Sequence, residues 1–332
     1  MTKRRVIPCL LLIAALSAVP LGAYLKLGVT VGGRLIELRW DRPVEYFVTN
    51  RDATGVTAPQ LQTAVDRAFA NWTGLPSTTA AYRFVGFTDA EPATGDNLST
   101  IGFRYRPELD RTLAATTFDL DEVTGRVLAS DIFFNTAADW SAAPAGEAGR
   151  FDVESVAVHE VGHLYGIGHS ALGETQMLPG GNRRVVAKRA AMFPIAYPAG
   201  TVQGRQLDAD DRAAFADVYG TASADARTGA IAGRVIKAGR GVFGAHVTAT
   251  NTRTGDIIGG FSLNASGNFV ISGLAAGLYI VRVEPLDDAD IGGFFDLDAG
   301  VDVDFVPSFH PGLVAVPRGG AGPTIALRVT GK

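Results

Sequence analysis

The stretch HEVGHLYGIGH, residues 159–169, decides how this chain is interpreted. Residues four apart on a helix share a face, so His159 and His163 can present two imidazoles to one metal ion. Gly166 lets the chain leave the helix and turn back, and His169 can then supply a third nitrogen from outside it. Three neutral ligands leave one tetrahedral position for water, which is the arrangement of a catalytic rather than a structural zinc site.

Glu160 directly follows the first of these histidines, so its side chain is predicted to lean to the side of the metal where water binds. We expect it to act as general base, taking a proton from that water and passing it to the leaving amine. A bare H-E-x-x-H arises often by chance, but Gly166 and His169 at fixed offsets make coincidence much rarer. One alternative is that the histidines are buried in an ordinary core. The other is a bound zinc ion without catalytic activity, which would give Glu160 no role.

Three helices and several strands are predicted around this motif. Each helix has a polar N-cap residue and a glycine at its end, and the first also has the spacing of a capping box. These cap and terminating residues are Thr57 and Gly74, Asp152 and Gly166, and Asp208 and Gly220. Strand-like runs lie at residues 43–49, 82–87, 99–105, 112–118 and 126–135.

The N-terminus has the order of a secretory signal peptide. A basic start at residues 3–5 precedes an almost unbroken apolar run at residues 6–19, and small residues follow. Because the run is short for a bilayer span, we predict a signal peptide at residues 1–23 and a secreted, extracellular or cell-surface protein. A buried N-terminal helix and an uncleaved anchor are the alternatives. Cys9 is the single cysteine, so the mature chain is expected to hold no disulfide.

The composition changes after residue 220. Residues 222–228 are small and polar and fit a linker. From Gly229 onward, strand patterns alternate with glycine-rich turns, which predicts a small all-β sandwich at residues 229–332. The formal net charge of −4 gives no electrostatic reason to expect a nucleic acid or an acidic membrane as partner. We expect a monomer that acts on protein or peptide substrates, without membrane contact once the signal is removed.

The zinc motif resembles that of the metzincin clan, and Ser170 after the third histidine points to the matrixin family, which includes the matrix metalloproteinases. Further likenesses lie at residues 39–40, 46–48, 68–72, 131–140 and 207–220, so the resemblance covers about residues 35–220. It implies an α+β fold in which a zincin catalytic domain, at residues 24–221, has a mixed twisted β-sheet and three helices. The implied activity is that of a zinc-dependent endopeptidase with one catalytic zinc ion.

The resemblance also implies a methionine turn beneath the metal, for which there are two candidates. Met177 lies at the short spacing usual in matrix metalloproteinases. Met192 lies further along, but its setting, with Pro194 and Tyr197 after it, looks more like the turn of the family. We favour Met192 and interpret residues 173–188 as an inserted loop; either methionine could instead fill the core.

Leu113 and Ala114 fall where the resemblance places an exposed edge strand above the zinc. An extended peptide could pair with this strand and bring one carbonyl to the metal. The residues after Met192 would then wall the pocket for the side chain beyond the cut.

This chain departs from the matrix metalloproteinases in three respects. Once the signal is removed, it is expected to offer no cysteine and no room for the propeptide that usually holds those enzymes latent. Only His246 and His310 remain for a second, structural zinc, so that ion is expected to be absent. Calcium is a candidate because Asp119, Asp121 and Glu122 offer hard oxygens near a turn, although a solvated loop is the favoured interpretation.

Residues 228–285 resemble carboxypeptidase regulatory-like domains, which are small prealbumin-type β-sandwiches. This likeness implies a stabilising or binding module and transfers no catalytic residue. It leaves a rival hypothesis open, in which the chain is a surface-binding or adhesion protein, the sandwich binds, and the zinc domain is a scaffold. A zinc hydrolase acting on another carbonyl bond is the third hypothesis.

Overall fold

The structure is a computed structural model that describes residues 6–8, 25–31, 34–109, 112–121, 123–179, 183–188, 190–222, 227–286, 291–295 and 299–332. Within these ranges the chain forms three α-helices and several β-sheets, so the predicted α+β class is confirmed at this level. The helices are α1 (Ala58–Thr73), α2 (Val153–Leu164) and α3 (Ala209–Tyr219).

The three predicted helix starts are confirmed, each by a side chain that accepts a backbone N–H. Thr57 and Gln60 form the capping box of α1, Asp152 accepts from the backbone of Ser155 at the start of α2, and Asp208 caps α3. Such caps satisfy N–H groups that the first turn of a helix leaves without partners. The cap at Asp152 therefore determines where α2, the helix that carries the histidine motif, begins.

In the described part of the chain, twelve strands precede α3. They are β1 (Val6–Pro8), β2 (Gly28–Val31), β3 (Arg34–Glu37), β4 (Val44–Thr49), β5 (Tyr82–Thr88), β6 (Thr100–Arg104), β7 (Ala114–Leu120), β8 (Val127–Asn135), β9 (Trp140–Ser141), β10 (Phe151–Asp152), β11 (Gly173–Met177) and β12 (Arg183–Lys188). Six of them form the main sheet in the order β1-β7-β8-β6-β4-β5. This sheet is mixed: β5, β4, β6 and β8 run parallel, while β7 is antiparallel to β8 and β1 to β7.

Aromatic side chains fix the motif helix α2 against its neighbours. Trp72 at the end of α1 is fully buried, and its indole N–H donates to the carbonyl of Val158 at 2.9 Å. The indole of Trp40 donates to the carbonyl of Leu164 at 2.9 Å, which satisfies one of the carbonyls that the end of a helix leaves unpaired. Because Trp rings bury large apolar areas while bonding through one N–H, these contacts both pack and orient α2.

In its described residues, the C-terminal part has strands in two sheets. The strands are β13 (Thr228–Lys237), β14 (Arg240–Gly241), β15 (His246–Asn251), β16 (Ile257–Phe261), β17 (Asn268–Ala275), β18 (Gly277–Glu284), β19 (Ser308–Phe309), β20 (Val314–Val316) and β21 (Gly320–Val329). One sheet has the order β14-β13-β17 with β21 on β13, and the other has the order β16-β15-β18-β19 with β20 on β18. The alternation predicted for β18 is present, since Tyr279, Val281 and Val283 are buried between more exposed residues. The prealbumin-type sandwich and the boundary at residues 222–228 stay predictions.

Residues 173–188, which were predicted to be an inserted loop, contain two paired strands. β11 pairs antiparallel with β12, from Gly173 opposite Lys188 to Met177 opposite Arg183. Glycine, proline and arginine in this stretch favoured a loop, whereas strand pairing depends on backbone groups that composition does not report. The loop prediction was therefore wrong for these two strands, and that the stretch is an insertion stays a prediction.

The predicted signal peptide lies mostly outside the described residues. Its only described part is β1, which pairs with Thr117–Asp119 of β7. No helix in the described part of the chain has the length and apolar character needed to cross a membrane.

Candidate metal centre

Three histidines converge where α2 ends and the chain turns back. His159 and His163 stand one turn apart on α2, and His169 follows the turn. One ligand nitrogen from each ring lies within 4.8 Å of the others, as the motif predicts. Gly166 makes the turn with a φ of +85°, and a Cβ there would lie 2.0 Å from the carbonyl oxygen of Leu38. Both the positive φ and the close approach explain why glycine occupies this position.

Each of the three imidazoles is oriented by a backbone carbonyl. A carbonyl oxygen can only accept, so each Nδ1 must carry the hydrogen and each neutral ring presents an unprotonated Nε2. Carbonyl acceptors of this kind fix the tautomer and orientation of histidines that bind metals. The pairs are His159 with Ala191 at 2.8 Å, His163 with Ile167 at 2.8 Å, and His169 with Gly293.

The arrangement fits a zinc ion. The Nε2 atoms of His163 and His169 are 3.1 Å apart. At that distance the lone pairs of two unprotonated nitrogens repel each other, and a cation bound to both removes this repulsion. Zinc binds imidazole nitrogen at about 2.0–2.1 Å. Burial and the neighbouring His169 lower the pKa of His163 to about 3, and burial lowers the pKa of His169. Both rings are therefore neutral at physiological pH, as a metal ligand must be.

Glu160 lies buried on α2 directly beside this cluster, 5% exposed. Its Oε2 accepts a 2.7 Å hydrogen bond from the hydroxyl of Thr116 on β7, and that hydroxyl also lies 3.1 Å from the Glu160 carbonyl. Burial raises the pKa of Glu160 to about 7, against the opposing effect of the Thr116 hydrogen bond. A carboxyl with a pKa near neutrality can both accept and release a proton.

Thr116 was missed by the sequence reasoning. A signal existed, because Thr116 lies two residues after Ala114 on the predicted edge strand and so shares a face with it. Nothing local to the strand, however, indicates that Glu160 would stand opposite.

Met192 packs against the underside of the motif helix. The residue is 1% exposed, and its sulfur would lie 2.3 Å from a Cβ added to Gly162. Asp211 of α3 holds the turn, since its carboxylate accepts the N–H groups of Ala191 at 2.7 Å and Met192 at 3.1 Å. These contacts favour Met192 as the methionine turn. Met177 lies on β11, and its side chain is outside the described residues.

Of the two candidate edge-strand residues, Ala114 lies within β7 and Leu113 directly precedes it. Ala114 is the first residue of β7 and pairs with Phe134 of β8, while the Leu113 carbonyl accepts from the Asn135 N–H. On its other edge, β7 pairs with β1 through Thr117–Asp119. Pairing with a peptide at Leu113 and Ala114 stays a prediction.

The calcium candidates do not form one group in the described residues. Asp119 accepts the N–H groups of Gly95 and Asn97, at 2.7–3.2 Å. Asp121 accepts those of Val123 and Thr124, both at 2.9 Å, and these bonds lower its pKa. Glu122 lies outside the described residues. The carboxylates of Asp119 and Asp121 thus hold two different turns, and calcium stays a prediction.

Comparisons with known proteins find likeness in the region that carries this centre. The sequence model of the matrixin peptidases matches residues 39–220, more than half of the chain. Metalloendoproteinase 2-MMP of Arabidopsis thaliana is 28% identical over 158 residues, which cover 43% of this chain and 37% of that protein. Metalloendoproteinase 5-MMP of the same plant is 57% identical over 37 residues, 10% of each chain. This chain thus spans well under two thirds of the length of either relative.

Among the solved structures that match is one with a TM-score of 0.19 and 14% identity, and the match covers 34% of this chain and 85% of that one. It is the dioxygenase domain of a dioxygenase–carbohydrate-binding protein fusion from the cellulolytic bacterium Streptomyces sp. SirexAA-E. A similarity this low supports no conclusion about the present chain.

Proposed function

The chain belongs to the matrixin family, and we propose that it is a secreted zinc-dependent endopeptidase with Glu160 as general base. Matrixin membership supports a metalloprotease and implies zinc. The observation that carries the proposal is the convergence of three carbonyl-anchored imidazoles beside one buried glutamate. The two Arabidopsis relatives, both named metalloendoproteinases, support the same activity.

Zinc held by His159, His163 and His169 would supply Lewis acidity, which acidifies a water molecule and polarises the carbonyl of the bond to be cut. Glu160 is the only acidic side chain within the 159–169 motif, and it accepts the proton of the water. Thr116 keeps the Glu160 carboxylate in one orientation through Oε2, which leaves Oε1 for the proton transfer. The same carboxyl then returns the proton to the amine nitrogen as the bond between that nitrogen and the carbonyl carbon breaks.

For the substrate we propose an extended peptide that pairs with the start of β7 at Leu113 and Ala114. β-strand addition of this kind provides affinity through main-chain hydrogen bonds. The turn at Met192 would support the ligands from below, and residues 193–197 would wall the adjoining pocket.

The remaining features of the proposal concern the rest of the chain. Residues 1–23 act as a signal peptide, which makes the protein extracellular. Residues 229–332 form a β-sandwich module of prealbumin type. A calcium ion would bind near Asp119 and Asp121, whose carboxylate oxygens are of the type that calcium prefers. No comparison, and nothing in the described residues, favours the adhesion alternative.

The test combines zinc analysis with hydrolysis of an unstructured protein by the purified chain. We expect one zinc ion per chain, hydrolysis in its presence, and loss of hydrolysis with a chelator. Glu160→Gln should keep the zinc and lose turnover, whereas His163→Ala should lose both. Full activity of Glu160→Gln would reject the assigned base, and activity that survives zinc removal would reject the whole proposal.

A further inference from the structure

The third histidine is anchored differently from the other two. His159 and His163 donate to carbonyls of Ala191 and Ile167, which lie inside the matrixin-matched region. His169 instead donates its Nδ1–H to the carbonyl of Gly293, 124 residues further along the chain. One of the three predicted metal ligands therefore takes its orientation from the C-terminal part.

The segment that carries this carbonyl is itself held in place; we name it the 291–295 segment. The N–H groups of Phe294 and Phe295 both donate to the carbonyl of Ile291 at 2.9 Å, which closes a tight turn. Phe294 is 2% exposed and Phe295 is fully buried. Their rings belong to an apolar cluster shared by both parts of the chain, with Phe193, Phe261 and Leu286 as its other buried members.

The same segment also packs on the imidazole. The ring of Phe294 lies edge-on to that of His169, with centroids 6.0 Å apart, and 5.7 Å from the ring of Phe261 on β16. The 291–295 segment thus contacts His169 through both its backbone and a side chain, so rotation of the imidazole would break one contact and disturb the other.

A second connection reaches the residue after the ligand. The hydroxyl of Ser170 donates to Oδ2 of Asp210 at 2.5 Å, and Oδ1 of Asp210 accepts the N–H of Gly259 on β16 at 2.8 Å. Asp210 is 3% exposed, so both bonds are shielded from water. The C-terminal part is therefore tied to the His169–Ser170 pair by two independent routes.

We propose that Gly293 is a positioning residue for the metal, and that the C-terminal part completes the zinc site rather than being a separate appendage. The carbonyl of Gly293 fixes the tautomer and direction of His169, and the buried phenylalanines keep that carbonyl in place. Loss of such a partner of a metal-binding histidine typically weakens metal affinity about 10–100-fold. The inference rests on the proposed function, because it concerns the same metal site.

The test measures zinc affinity in the full-length protein by competition with a chromophoric chelator. Phe294→Ala releases the anchor of the segment, and we expect its zinc Kd to rise about 10–100-fold. In the cobalt-substituted protein, the visible absorption bands should shift, because they report the ligand geometry and not the stability of the fold.

One variant serves as a matched control. Phe269→Ala removes an equally buried ring, 1% exposed, from β17. It should lower the melting temperature while leaving the zinc Kd unchanged at temperatures where the protein is folded.

An unchanged zinc Kd in Phe294→Ala, with zinc bound to the wild type, would overturn this inference and leave the proposed function intact. An equal rise of the Kd in Phe269→Ala would also overturn it, because a general loss of stability would then explain the effect. Absence of zinc binding by the wild type would overturn both proposals together.

Discussion

The hydroxyl of Thr116 on β7 donates a 2.7 Å hydrogen bond to the carboxylate of Glu160 on α2, in a fully buried contact. This bond joins the strand proposed to pair with substrate to the residue proposed as the base. Movement of the strand would therefore move the carboxylate. The pair connects the strand where a peptide would lie with the side chain that would act where its bond is cut.

Thr116→Val should lower kcat about ten- to a hundredfold with little change in KM. The substitution keeps the shape but removes the donor, and a hydrogen bond to a charged group is worth about 1.5–3 kcal/mol. Thr116→Ser keeps the hydroxyl and should retain most of the activity. Steady-state kinetics on a peptide substrate would check both variants, and a kcat of Thr116→Val equal to that of the wild type would show that the hydrogen bond to Glu160 is not needed.

Zinc should stabilise the fold as well as support activity. Because the metal binds the three histidines only in the folded chain, its removal by a chelator should lower the melting temperature, and added zinc should restore it. The gain is about 4 kcal/mol when free zinc is about a thousandfold above its Kd. His163→Ala should abolish the response, and His310→Ala should keep it, since the Nδ1 of His310 contacts the carbonyl of Gly312 instead. A melting temperature that does not depend on zinc would contradict this expectation.

The parts of the site that the sequence predicts are those encoded locally. Caps at Thr57, Asp152 and Asp208 act over three residues, and the spacing of the motif histidines follows from the geometry of one helical turn. Contacts between distant segments have no such periodic signal. Thr116 and Glu160 are 44 residues apart, and their contact depends on how β7 packs on α2.

The hairpin of β11 and β12 and the role of Gly293 were unpredictable for the same reason. Strand pairing at residues 173–188 depends on register, which composition does not encode. A backbone carbonyl carries no side-chain signature at all, so nothing in the residues around Gly293 indicates that it faces His169.

Gly162→Ala should destabilise the protein by about 1–3 kcal/mol, because overpacking a close-packed core costs that much. The added methyl would lie 2.3 Å from the Met192 sulfur and 2.8 Å from the Trp72 ring, and both side chains are buried. Gly312→Ala is the control, since a Cβ there meets nothing within 4 Å, and it should change stability by less than about 0.5 kcal/mol. Urea unfolding measures both. Equal stability of the two variants would mean that Met192 does not support the motif helix as described.

Asp131 on β8 should make the protein less stable as the pH rises. The residue is 2% exposed, Oδ1 accepts the Thr100 N–H at 2.9 Å, and Oδ2 has no hydrogen-bond partner among the described residues. Burial, with the nearby carboxylates of Asp96 and Asp119, raises its pKa from 3.8 to about 8. The folded state therefore binds more protons than the unfolded chain between those two values, so the free energy of unfolding falls across that interval.

The fall contributed by Asp131 can reach about 1.4 kcal/mol per pH unit, and Asp131→Asn should remove it. Urea unfolding at pH 5 and pH 8 would measure the effect, with a chelator present in all samples, because a divalent cation near these carboxylates would keep them ionised. Asp41→Asn, at an exposed position, should behave like the wild type. If Asp131→Asn lost as much stability between pH 5 and pH 8 as the wild type does, a titratable group other than Asp131 would be responsible for the loss.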